Sequence, residues 1–80
     1  MTAEARRFVA FGFASVHDAM EAEDALKAAG FAAVAIPSPR ALGELCGIAL
    51  RVDPADARAA ETALDDADLP PVASAEIDDL

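Results

Sequence analysis

Asp18-Ala19-Met20-Glu21-Ala22-Glu23-Asp24-Ala25-Leu26 returns later in the chain as Asp56-Ala57-Arg58-Ala59-Ala60-Glu61-Thr62-Ala63-Leu64, and the match extends to Ala29 against Ala67. Both stretches set Ala and Leu at helical spacing, so each reads as a helix with a narrow, mostly Ala stripe that can lie close to a sheet. Ser15 opens the first, with Asp18 three residues on as in a capping box, and Gly30 stops it after Ala29. Asp53 opens the second as N-cap, with Pro54 at the first helical position, and the helix is expected to run to about Ala67. Ala-rich helices resemble one another by composition, so the repeat gains weight only from what flanks it.

Four apolar runs flank the two helices. Arg7 to Ala14 alternates with period two, Phe8, Ala10, Gly12 and Ala14 on one side and Val9, Phe11 and Phe13 on the other, which predicts a strand apolar on both faces. Phe31 to Ile36 predicts a second strand, closed by Pro37-Ser38-Pro39, whose prolines fix φ and remove two backbone donors. Arg40 to Leu45 reads as a loop with one helical turn, Cys46 to Val52 as a third strand, and Val72 to Ile77, after Pro70-Pro71, as a fourth. The resulting βαββαβ order with related halves predicts an α+β, ferredoxin-like sandwich, a four-stranded antiparallel sheet with both helices on one face. An open α/β sheet is the main competitor. In the ferredoxin-like arrangement the other sheet face is left bare and apolar, so a homodimer or docking to another protein through that face is expected.

Eighty residues suit one domain, 1–80, with a core over about 7–77, a short N-terminal tail and an acidic C-terminal tail. A chain of this size buries only about 60–65% of the surface its unfolded form exposes, too little for a deep catalytic cleft. Six basic against fifteen acidic residues give a net charge of −9, which opposes nucleic acid and anionic membrane surfaces as partners. No run approaches the roughly 20 apolar residues of a membrane span, and the N-terminus lacks signal-peptide features, so a cytoplasmic location is expected. The single cysteine cannot form an internal disulfide or a multi-Cys metal site.

Cys46 is the one side chain suited to chemistry. It precedes Gly47 and follows the Pro37-Ser38-Pro39-Arg40 loop, and a reactive thiol there would draw thiolate character from Arg40 and Arg51. The plainer alternative is packing: if the strand already begins at Cys46, alternation sets it with Ile48, Leu50 and Val52, Arg51 points the other way, and Cys46 is a small core hydrophobe. A helical turn before it would also aim its carbonyl end at the thiol and oppose ionisation. His17, the only histidine, sits at a helix start that disfavours imidazolium, so it suits capping or exposure better than a Cys–His pair. Asp65, Asp66 and Asp68, and Glu76, Asp78 and Asp79, form acidic clusters without EF-hand spacing and read as solvated surface. No cofactor or resident metal is expected.

Ile36-Pro37-Ser38-Pro39-Arg40 followed by Cys46-Gly47-Ile48-Ala49-Leu50-Arg51 resembles a small bacterial family of selenium/sulfur carrier-like proteins, and the likeness takes in the aromatic first strand and the Ser15-to-Gly30 segment, about residues 7 to 69. The resemblance implies a carrier whose Cys46 accepts sulfur or selenium as a persulfide or selenosulfide from a donor protein and passes it to an acceptor protein. It implies that Arg40 and Arg51 stabilise the anionic form, that Pro37 and Pro39 hold the loop, and that Gly47 belongs to the motif. Glu44-Leu45 depart from the small residues that often precede the Cys in that family, and a nearby carboxylate opposes thiolate formation. The alternative is a non-catalytic interaction or ligand-sensing module with a structural cysteine. Either suits the chain better than an autonomous enzyme does.

Overall fold

The computed structural model describes residues 6–43, 45 and 47–79, the last by its backbone alone. β1 (Arg6–Gly12) leads into α1 (Val16–Ala28), whose first turn is closed by Ser15 Oγ accepting from the Asp18 N–H at 3.1 Å, as the capping pattern predicted. α1 ends at Gly30, φ +92°, where the Gly30 and Phe31 amides donate to Lys27 and Leu26 carbonyls, a Schellman closure. That closure uses the Phe31 N–H. The second strand therefore starts later than the apolar run suggested: β2 is Val34–Pro37, not Phe31 to Ile36.

β3 (Ile48–Val52) begins after Gly47, whose φ of +92° breaks the extended path, so the expected start at Cys46 is corrected by two residues. α2 (Ala57–Asp66) also starts later than expected. Asp53 does cap, but it caps a tighter turn that precedes the helix: its carboxylate accepts from the Ala55 N–H at 2.9 Å and its carbonyl from Asp56. α2 closes as α1 does, with Asp68 at φ +63° standing where Gly30 stands, and Leu69 donating to Leu64 as Phe31 does to Leu26. The repeat read in the sequence is thus a repeat of helix, stripe and stop. β4 (Ala73–Asp79) runs two residues further than expected, held along β1 from Gly12↔Ala73 to Arg6↔Asp79.

The strands lie in the order β2-β3-β1-β4 with every neighbour antiparallel, the ferredoxin-like sheet expected from the element order. Cross-strand partners share a face. Phe11 with Leu50, and Val9 with Val52, line the side against which Ala19, Ala22 and Leu26 of α1 and Ala60 and Leu64 of α2 pack. This is the main core, and it contains the six largest fully buried side chains among the described residues.

The opposite face is not the bare surface that alternation implied. A short 3₁₀ turn, Arg40–Leu42, lies over it, and Leu42 and Leu45 pack on Ala10 and Ala49, with Ile36, Ala73, Ala75 and Ile77 around them. Alternation says which residues share a face; it does not say whether a connection covers that face. Among the described residues no helix is long and apolar enough to cross a membrane.

Candidate functional site

The β2–β3 connection is built by its own residue types. Pro37 is the last residue of β2 and pairs with Ile48, a position where its missing N–H leaves the ladder intact. Pro39, extended at φ −71°, sets up the 3₁₀ turn, in which Leu42 and Gly43 donate to the Pro39 and Arg40 carbonyls at 3.1 and 3.0 Å. Gly43 leaves the turn at φ +77°, beyond the reach of most L-residues. The two ends of the loop are tied where the Ser38 N–H donates to the Gly47 carbonyl at 2.9 Å. Cys46 itself lies outside the described residues, so the expectations for its burial and ionisation lie there too. Its chain neighbours are placed: Leu45 is half-buried against the sheet, and Gly47 is exposed at the entry to β3.

The two cations are placed differently. Arg40 is exposed on the 3₁₀ turn of the loop itself. Arg51 projects from β3 on the same sheet face that the loop covers, opposite Ala10, and its guanidinium carbon lies 4.3 Å from the centre of the Phe8 ring, within cation–π range. Arg6 approaches the same ring at 5.1 Å, so two guanidinium groups lie within cation–π range of Phe8. Beside the loop a shallow groove of about 300 Å³ is lined by Ala35, Ile36, Pro37, Gly47 and Ile48, none of them charged.

His17 turns to Glu21, 3.5 Å away, on the exposed surface of α1, and with Asp18 these form the one group of potential metal ligands among the described residues, open to solvent. Asp65, Asp66 and Asp68 are exposed, as expected. Glu76 and Asp78 are exposed but engaged, each 3.1 Å from the Arg7 guanidinium across the β1–β4 pair.

The residue that sequence reading passed over is Gly12. It pairs with Ala49 on one side and Ala73 on the other, and a Cβ built there would collide with Leu45 Cδ1 and lie 3.2 Å from Leu42 Cδ1. A glycine inside an otherwise aromatic strand is a recognised sign of close approach, and that signal was present in the sequence.

These features define a small ferredoxin-like α+β domain whose long β2–β3 connection, seated on the sheet, carries its one cysteine between Leu45 and Gly47. Residues 9–75 match the family described as "Putative Se/S carrier protein-like", and the chain belongs to it. That stretch runs from within β1 to within β4 and includes the Pro37-to-Arg51 segment. No curated protein and no solved structure matches the chain.

Proposed function

We propose that the chain carries sulfur or selenium on Cys46. The observation that supports this is the match of residues 9–75 to the selenium/sulfur carrier-like family, a stretch that contains the only cysteine of the chain. In the sulfur case the Cys46 thiolate attacks the terminal sulfur of a donor protein's persulfide. The donor S–S bond breaks, the donor cysteine leaves as a thiolate, and Cys46 holds the new S–S bond as a persulfide. An acceptor thiolate takes the terminal sulfur by the same displacement, returning Cys46 to its thiolate. A donor selenosulfide gives the selenium analogue in the same sense.

The chain's own tasks are then few. Arg40 and Arg51 supply positive charge to the anionic sulfur, Pro37 and Pro39 stiffen the approach to the loop, and Gly47 allows the turn into β3. Bond-breaking machinery belongs to the donor and acceptor proteins. The groove that Gly47 lines offers an uncharged contact surface next to the carrier residue in the chain.

The test is intact mass after incubation with a cysteine desulfurase and cysteine. A gain of one sulfur atom that a reductant removes, absent in Cys46→Ser, is the expected result. A thiol that alkylates readily but never gains sulfur or selenium from any donor tried sinks the carrier reading and leaves the interaction module in its place.

A further inference from the structure

Gly12 sits in a cross-strand row of Ile36, Ala49, Gly12 and Ala73, one residue from each strand, on the face away from the helices. Small residues at the three inner and edge positions leave a trough, and Leu42 and Leu45 lie in it. A methyl group at residue 12 would overlap Leu45 Cδ1 and press on Leu42 Cδ1, so the Leu45 side chain would have to turn or leave its seat. The Gly12 backbone has little freedom to yield, because its carbonyl accepts from the Val72 N–H at 2.9 Å and it is paired on both sides. Gly12 has no positive φ, so conformational freedom is not what the position needs. It needs the absence of a side chain.

Leu45 is bonded directly to Cys46, and consecutive Cα atoms are held about 3.8 Å apart. Anything that lifts Leu45 from the sheet therefore moves the point from which the cysteine starts. We propose that Gly12 is a positioning residue for Cys46: by leaving room for Leu45 on the sheet, it fixes where the chain enters the sulfur-carrying residue. The inference deepens the carrier reading, and the two can fail separately.

The experiment measures the rate of Cys46 alkylation by iodoacetamide across pH in four proteins: parental, Gly12→Ala, Leu45→Ala and the double variant. Residues in contact couple, so Gly12→Ala is expected to change the rate by about threefold or more in the parental background and to have little further effect once Leu45 is Ala. The midpoint of the pH profile is expected to move with it, which a loss of stability alone does not produce in molecules that remain folded by circular dichroism. A parental rate and midpoint in folded Gly12→Ala, or the same factor in both backgrounds, overturns the proposal. If Gly12→Ala does not fold, Leu45→Ala alone decides, since it empties the seat without crowding the sheet; an unchanged alkylation profile there overturns it equally. Alkylation needs no sulfur donor, so a parental protein that never gains sulfur refutes the carrier reading while leaving the Gly12 result to stand or fall by itself.

Discussion

The two faces of the sheet are packed by opposite means. Under the helices, β1 and β3 present Val9, Phe11, Leu50 and Val52, and large side chains meet the Ala and Leu stripes of α1 and α2. Where the β2–β3 loop lies, the same two strands present Ala10, Gly12 and Ala49, and the large side chains Leu42 and Leu45 come from the loop instead, with Phe8 and Arg51 further along that face. A face that buries large groups of its own stores stability. A face of small groups stores position, since what it specifies is where a covering segment comes to rest.

The largest effect should therefore come from the helical face. Leu64 is fully buried in the main core, and Leu64→Ala is expected to cost about 2–5 kcal/mol through lost burial and the cavity left behind. Urea unfolding measures it. The comparison sharpens if the alkylation rate of the folded fraction stays parental, and breaks if a change so far from the loop alters the thiol as well.

On the loop face the sign of the volume change reverses. Ala49 is fully buried between Ile36 and Gly12, so Ala49→Val adds bulk to the trough and is expected to cost about 1–3 kcal/mol by overpacking. Here the alkylation profile should shift together with the stability. A Val tolerated with both unchanged would show that the loop is not held against this row.

A smaller effect lies where the two halves use different residues for the same helix stop. Gly30 and Asp68 both hold the positive-φ stop after a helix, but only Gly adopts it without a Cβ penalty. Asp68→Gly is expected to raise stability by about 0.5–1 kcal/mol, and Gly30→Asp to lower it by a similar amount. Thermal melting of the pair checks the symmetry. Neither change touches the loop, so neither should alter Cys46.

How far these features could be read in the sequence follows the same division. The helical face was legible because its residues repeat: Ala19, Ala22 and Leu26 against Ala57, Ala60 and Leu64, each stripe closed by its own stop. Element order then gave the antiparallel sheet. Strand ends were less legible, since Phe31 and Gly47 are claimed by a helix closure and a turn that apolar composition does not reveal. The loop face was misread as open because Leu42 and Leu45 stand among Gly, Arg and Glu with no period to mark them. The motif residues were legible as a set; what sets the position of their loop was not, although Gly12 carried the hint.

The smallest expected effect on stability is at Cys46, and it separates the two readings of that residue most sharply. A packing cysteine in the core costs stability when its sulfur becomes a hydroxyl, because a polar group is buried in place of a small hydrophobe. A carrier cysteine must be reached by donor and acceptor thiolates, and a residue with that access behaves as a surface position, where substitutions usually change stability by less than about 0.5 kcal/mol. Cys46→Ser is therefore expected to melt with the parental protein while losing all capacity to gain sulfur. A clear fall in melting temperature would move Cys46 to the side of the molecule that stores stability, and the division between the two faces would no longer coincide with the division between structure and function.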